Sequence, residues 1–248
     1  VSVKMNLAAF AWGRRAAVDE AAVRAVIGAK LEKKPETLDE IVARRADFLT
    51  DYQDVAYAES YRSFVARVRA VSEPLAMAVA KNLFKLMAYK DEYEVARLYA
   101  DGSFAANIAK QFTGDYRLTF HLAPPIRGRT DSFTGRPLKS EYGPWTMSGF
   151  RVLARMKRLR GTAFDVFGRT AERRMERQLI ADYRRLVEGL IADPAKVRRP
   201  EALELASLPE TMRGFGHVKE ANVAKAKARE AELLAALADG AAMRKAAE

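Results

Sequence analysis

The sequence predicts a mainly α-helical fold with one small β element near residues 115–135. Apolar residues recur every three or four positions along most of the chain, which is the period of an amphipathic helix. No Gly or Pro interrupts this pattern from 36 to 73. The strict alternation of apolar and polar residues that marks a half-buried strand is found at 115–122.

The composition is that of a globular protein rather than of a disordered or membrane-spanning one. The chain has 248 residues, of which 49% are hydrophobic and 30% charged, enough for one large domain or two small ones. No apolar run approaches the ~20 residues that a membrane-spanning helix needs, and no stretch resembles a signal peptide. The absence of cysteine excludes disulfides, thiolate zinc sites and Cys-ligated iron–sulfur clusters within this segment. A cytoplasmic location is therefore expected.

The charge balance favours acidic partners. The formal net charge is +11 and the sequence pI is about 9.8. Nucleic acid, an anionic lipid surface, an acidic protein and phosphate-bearing ligands all fit such a charge. The alternative is that the arginines mainly solvate helix faces.

The first two helices and the start of the third are predicted from local patterns. We expect a helix over 3–18 and a short one over 19–29. The sequence PETLDE then contains a capping box, in which Thr37 is the N-cap residue and Glu40 lies three positions later.

A long antiparallel helical hairpin is predicted next. An uninterrupted helix over 36–73 would reach roughly 50 Å at 1.5 Å per residue, so it needs a partner along most of its length. The segment that begins at Pro74 supplies that partner, because proline suits a first helical turn. We expect this second arm to break near Lys90, to resume, and to end before Gly102.

The remaining elements are one strand, a loop and four helices. The segment DYRLTFHL, 115–122, is predicted to be a strand, and 126–144 an ordered loop or hairpin. Helices are expected from Pro144, after an N-cap at Thr170, over 200–208, and from about His217 to Asp239. The last residues are expected to fray.

The clearest candidate binding site is RGFGHVKEAN, residues 213–222. Two glycines allow a close backbone approach, and a helix that begins near His217 offers free N–H groups and a positive dipole end. Arg213 and Lys219 flank that end, so phosphate or carboxylate is a reasonable ligand. The alternatives are a structural helix start, in which Glu220 caps backwards and His217 contacts a neighbouring domain, and acid–base catalysis.

Three further features have both a structural and a functional interpretation. His121 lies on the polar side of the predicted strand, at its end, where either role is possible. Trp145 follows a Gly-Pro turn, as a packing anchor or as a stacking surface. Basic residues with interleaved Phe164 and Phe167 follow at 157–177, as in some nucleic-acid-binding proteins, although acidic neighbours make solvated helix faces an equal explanation.

Six segments, taken in order, resemble the C-terminal region of the long, single-chain indolepyruvate ferredoxin oxidoreductases. They are VKMNLAAFAWGR, YEVARLY, FHLAPP, YGPW, KRLRGTAFDVFGRTAERRMER and MRGFGHVKEAN. Val166 stands where the family often has proline. The resemblance implies that 1–18 is the tail of a preceding catalytic-type domain and that 19–248 is an appended helical domain.

That resemblance implies a function for the larger enzyme. Such enzymes oxidatively decarboxylate arylpyruvates to acyl-CoA with thiamine diphosphate, Mg²⁺, 4Fe-4S clusters, coenzyme A and ferredoxin. These cofactors would lie outside the present segment, which is expected to hold none and to be non-catalytic. The expected partners are the remaining domains of a homo-oligomeric enzyme and acidic ferredoxin, with no membrane partner.

Two other functions remain open. One is a free-standing basic helical protein that binds nucleic acid. The other is a small hydrolase that uses His121 and His217, for which the usual nucleophile motifs are missing.

Overall fold

The computed structural model describes residues 2–27, 35–122, 138–214 and 216–245, with side chains as far as 238. It is 74% helical, with a small two-stranded antiparallel sheet, so the predicted mainly α fold is confirmed. The chain forms two compact units, Val1–Thr37 and Leu38–Glu248.

The first unit contains two helices, α1 (Val3–Val18) and α2 (Glu20–Ile27). Both were predicted, although positions 28–29 lie outside the described residues. The Asp19 carboxylate accepts a hydrogen bond of 2.9 Å from the Ala22 backbone N–H at the start of α2. Contacts between the two helices place them in one unit. The assignment of 1–18 to a preceding catalytic domain stays a prediction.

The second unit begins with three helices, α3 (Leu38–Tyr52), α4 (Val55–Arg69) and α5 (Glu73–Met87). The uninterrupted helix predicted over 36–73 is therefore divided between Tyr52 and Val55. Asp54 begins α4, because its extended backbone lets its carboxylate accept a 2.8 Å hydrogen bond from the Tyr57 N–H. An N-cap of this kind needs neither Gly nor Pro, which explains why the break was not predicted.

Cross-helix contacts fix the directions of these helices. Arg62 pairs with Asp47, and Arg69 pairs with Asp39 nearer the start of α3. Because the residue later in α4 pairs with the residue earlier in α3, the two helices are antiparallel. The Tyr57 and Tyr61 hydroxyls likewise reach the carbonyls of Met87 and Ala80, so α4 and α5 are antiparallel as well.

A long helix, α9 (Ala171–Ile191), packs on α5 and completes this bundle. Thr170 caps it as predicted, accepting a hydrogen bond of 3.3 Å from the Arg173 N–H. Buried Leu179, Tyr183 and Val187 of α9 join the same core as Leu83 of α5.

Three further helices follow α9. They are α10 (Pro194–Val197), α11 (Pro200–Ser207) and α12 (His217–Lys245). The short α10 was not predicted. Leu190, Leu205 and Leu237 form a second cluster among α9, α11 and α12. The last helix continues to Lys245, past the predicted end near Asp239.

The remaining elements pack around a cluster of aromatic rings. They are α6 (Glu92–Ala100), α7 (Ser103–Gln111), β1 (Phe120–Leu122), β2 (Ser140–Tyr142) and α8 (Thr146–Arg155). The Tyr99 and Phe150 rings stack at 4.9 Å, and Phe120 meets both edge-on at 5.4 Å.

The sheet is smaller than the alternation suggested. Of the predicted strand over 115–122, Phe120–Leu122 pairs with β2, with Phe120 opposite Tyr142, and 115–119 is not in a strand. Within the predicted loop, 126–137 lies outside the described residues.

Candidate functional site

The predicted anion site lies at the start of α12, where both flanking cations have partners within the chain. Gly214 and Gly216 have positive φ values of 111° and 54°, and α12 begins at His217. A β-carbon at Gly214 would lie 2.8 Å from Val218 Cγ1, so this glycine permits a close approach of the chain to itself. Phe215 lies outside the described residues.

Both cationic neighbours of His217 have intramolecular partners. The Lys219 ammonium lies 2.7 and 2.5 Å from the two carboxylate oxygens of Glu176 on α9, and the two side chains are only 13% and 5% exposed. Arg213 donates from Nε to the Glu210 carbonyl at 2.9 Å. Lys219 thus fastens α12 to α9, while the exposed His217 ring has no side-chain partner among the described residues. Anion binding here stays a prediction.

His121 lies on β1 and Trp145 at the start of α8. His121 is exposed and faces Glu141 across the two strands. The Trp145 indole is 67% exposed and contacts Tyr142 edge-on at 6.0 Å. Trp145 is therefore a surface side chain, which favours the stacking alternative over a buried anchor.

The most elaborate polar arrangement is a buried ion pair that the sequence did not indicate. Arg160 donates to both carboxylate oxygens of Asp91, at 2.5 and 2.9 Å, and to the Tyr52 carbonyl at 2.7 Å. The two charged side chains are each 3% exposed. The guanidinium also lies 3.6 Å from the centre of the Tyr52 ring. Asp91 in turn caps α6 by accepting from the Glu94 N–H at 2.8 Å.

The loop that follows Arg160 is organised by a second buried carboxylate. Asp165 accepts hydrogen bonds from the Gly161 N–H at 2.7 Å, the Gly168 N–H at 2.8 Å and the Tyr93 hydroxyl at 3.2 Å. Gly161 has a φ of +77°. Arg177 donates to the Gly168 carbonyl at 2.6 Å. Residues 161–168 are hereafter the 161–168 loop.

Burial and neighbouring charges shift the pKa values of Arg160, Tyr93 and Tyr52. Burial acts to lower the pKa of Arg160, but hydrogen bonding to Asp91 and the other nearby groups outweigh it, so that pKa lies above its usual range. Burial, with Asp165 and Asp91 nearby, raises the pKa of Tyr93, and burial, with Asp91 nearby, raises that of Tyr52. These directions favour a charged guanidinium and neutral phenols, the states in which the three side chains donate their hydrogen bonds.

The local sequence carries one signal for this network. The segment RGTAFDVFG brackets Asp165 with two glycines, the pattern of a carboxylate that binds backbone N–H groups at both ends of a turn. Asp91 and Arg160 are 69 positions apart, so their pairing depends on tertiary structure alone.

The described residues also form an open groove with a partly apolar lining. It measures about 570 Å³ and lies between α9, α10 and α12. Leucine side chains line part of it, namely Leu186, Leu190 and Leu234. The lining also includes Lys227, which pairs with Asp182 and Glu230.

The described residues offer neither a metal-binding cluster nor a membrane-spanning helix. No group of three or more His, Asp or Glu side chains there could hold a metal ion. No described helix has the length and apolar character needed to cross a bilayer.

A family model matches residues 38–232, which is most of the chain. It describes a family of unknown function, DUF6537. The chain belongs to the DUF6537 family. The match begins at Leu38, where the second compact unit also begins. No curated protein and no solved structure matches the chain significantly.

Five of the six resembling segments lie in the DUF6537 region, and contacts join them in series. YGPW pairs with FHLAPP through the two strands, and Phe120 contacts Tyr99 of YEVARLY at 5.4 Å. Tyr93 of YEVARLY binds Asp165 of the arginine-rich segment. Glu176 of that segment binds Lys219 of MRGFGHVKEAN. These segments thus form one connected body within the DUF6537 unit.

Proposed function

We propose that this chain is an accessory module of a larger 2-oxoacid ferredoxin oxidoreductase of the indolepyruvate type. The module is itself non-catalytic and serves in assembly, substrate closure or partner docking. In this proposal the thiamine diphosphate, Mg²⁺, coenzyme A and iron–sulfur sites lie in other parts of a cytoplasmic, homo-oligomeric enzyme.

The observation that carries the proposal is the ordered series of six resembling segments in the sequence. The structure adds that five of these segments belong to one compact unit, which can act as a single module. Here five of them meet through specific contacts, including the Tyr93–Asp165 hydrogen bond and the Lys219–Glu176 ion pair. The resemblance therefore corresponds to one folded body.

The chemistry of the described residues supports a structural role for that body. The buried Asp91 and Arg160 side chains neutralise each other within the chain. Its two histidines are exposed and belong to separate elements, His121 on β1 and His217 at the start of α12. A role in holding or docking other parts of an enzyme uses such a body without requiring catalytic groups in it.

Reconstitution from two polypeptides tests the proposal. The isolated chain, supplied with indolepyruvate, thiamine diphosphate, Mg²⁺, coenzyme A and ferredoxin, is expected to show no turnover. An oxidoreductase of this type that lacks the segment should have reduced activity, and addition of the chain in trans should restore it. Turnover by the isolated chain, or full activity of the truncated enzyme, would contradict the proposal.

A further inference from the structure

The 161–168 loop carries two large apolar side chains on the surface. Phe164 is 76% exposed and Val166 is 53% exposed. Between them, Asp165 points inward and is 4% exposed. The alternation therefore places one polar side chain in the interior and two apolar side chains in solvent, the reverse of the usual preference.

The side chains are exposed although the loop itself is well ordered by hydrogen bonds. Asp165 binds both ends of the loop, as described above. Arg160, the residue just before the loop, is held by Asp91. Within the loop, the Thr162 hydroxyl donates to the Leu159 carbonyl at 2.7 Å, and Arg169 donates to the Ala163 carbonyl at 3.0 Å. Phe167 packs edge-on against Tyr93 at 5.3 Å. Phe164 is therefore held outward by a rigid frame.

The charged residues exposed near the loop in the sequence are all arginines. Over 157–177 the exposed charged side chains are Arg158, Arg169 and Arg174. Arg169 binds the loop backbone directly, and Arg174 donates to the Arg169 carbonyl at 2.7 Å. Of the acids in this segment after the loop, Glu176 is buried in its pair with Lys219, and Glu172 lies 3.9 Å from Arg173 with its side chain 37% exposed.

We infer that the 161–168 loop is a docking surface for an acidic protein, with Phe164 as its central anchor. Aromatic and arginine side chains dominate the energetics of protein interfaces, with the aromatic ring at the desolvated centre. A loop that is already ordered loses little conformational entropy on binding. The exposed arginines complement carboxylates on the partner.

A protein partner fits the surface better than nucleic acid does. A single phenylalanine next to an aliphatic valine offers one ring for base stacking, whereas single-strand binders use several rings along a basic groove. Both residues, however, suit an apolar pocket. The docking role rests on the proposed function, but the binding test below does not use the oxidoreductase.

The test measures binding of the 248-residue chain to labelled polymers by fluorescence anisotropy. The probes are a random copolymer of glutamate and tyrosine, polyglutamate alone, and a single-stranded DNA oligonucleotide. The copolymer should bind more tightly than polyglutamate. Phe164→Ser should weaken copolymer binding about tenfold, and Phe164→Trp should preserve it. Since Phe164 is exposed, neither variant should lower the melting temperature appreciably.

Val152→Ser is the matched control. Val152 is 59% exposed and lies between exposed Arg151 and Arg155 on α8, so it reproduces an apolar side chain among arginines outside the loop. Copolymer binding should change by less than about twofold. Equal binding by wild type and Phe164→Ser would overturn the inference. So would a larger effect of Phe164→Ser on DNA than on the copolymer, which would indicate a nucleic-acid surface.

The two proposals can fail separately. If the oxidoreductase needs this module while Phe164→Ser binds the copolymer normally, only the docking surface is wrong. If Phe164→Ser loses copolymer binding while the truncated oxidoreductase is fully active, the proposed function is wrong and the surface remains.

Discussion

At the scale of single residues, the buried carboxylates organise the part of the molecule that carries the resemblance. Asp91 begins α6 and holds Arg160, and Asp165 closes the loop that follows. Removing one partner of a buried ion pair leaves an uncompensated charge, which typically costs about 3–5 kcal/mol. Such residues are easily mistaken for catalytic acids, but here each oxygen of Asp91 and Asp165 has a donor within the chain.

Gly168→Ala should destabilise the protein by about 2 kcal/mol or more. The new β-carbon would lie 2.2 Å from Asp165 Oδ2 and 2.9 Å from Arg177 Nη1. The Asp165 carboxylate has no free direction in which to yield, because its hydrogen bonds fix it. Chemical denaturation with a circular-dichroism readout measures the change in the free energy of unfolding.

Gly189→Ala is the control for that substitution. Gly189 lies within α9, and nothing stands within 4 Å of the position of its β-carbon. Alanine there should stabilise the protein by about 0.5–1 kcal/mol, because it restricts the unfolded chain. A Gly168→Ala variant as stable as wild type would show that the loop is not held as described.

At the scale of elements, helix ends set the architecture of the bundle. The turn between α3 and α4 converts one long amphipathic sequence into two antiparallel helices. The α4 helix then places Tyr61 against α5, where its hydroxyl donates to the Ala80 carbonyl at 2.9 Å. Tyr52, at the end of α3, donates to the Tyr89 carbonyl just after α5 at 2.8 Å. A single uninterrupted helix could not bury both faces in this way.

Asp54→Ala should therefore lower the free energy of unfolding by about 1 kcal/mol, the usual cost of losing an N-cap. Asp47→Ala serves as the comparison in the same helical pair. The Asp47 side chain is 78% exposed in a surface pair with Arg62, so its loss should cost less than about 0.5 kcal/mol. Equal effects of the two substitutions in urea denaturation would mean that the cap does not hold the turn.

At the scale of the whole molecule, buried phenols couple stability to alkaline pH. Burial raises the pKa of Tyr61 to about 12, and burial also raises the pKa values of Tyr52, Tyr57 and Tyr183 above the ordinary 10.0. The folded chain thus keeps protons that the unfolded chain loses near pH 10. This contribution is complete below about pH 10 and is lost as the pH rises toward each folded pKa.

We expect the free energy of unfolding to fall above pH 10, with tyrosine ionisation and loss of helix occurring together. Each buried phenol adds about 1.4 kcal/mol per pH unit to the slope. Tyr61→Phe should show a shallower decline, although it starts from lower stability because the bond to Ala80 is lost. Ionisation of all nine tyrosines while the helical signal persists would contradict this expectation.

By itself, the sequence determined the helical class, the positions of most helices and the start of α9 at Thr170. These features follow from local periodicity and capping, which a chain carries without reference to distant residues. It also indicated His217 at the start of α12, but not that Lys219 is engaged by Glu176.

Only the tertiary structure decided which side chains act together. The Asp91–Arg160 pair, the inward turn of Asp165 and the outward position of Phe164 depend on contacts between α6 and the segment that follows α8. Residues far apart in sequence have no local signature of their pairing. The residue type alone also does not tell whether an aspartate binds backbone amides or faces solvent. The tertiary structure likewise decided the extent of β1, because Phe120–Leu122 pairs with β2 and 115–119 is not in a strand.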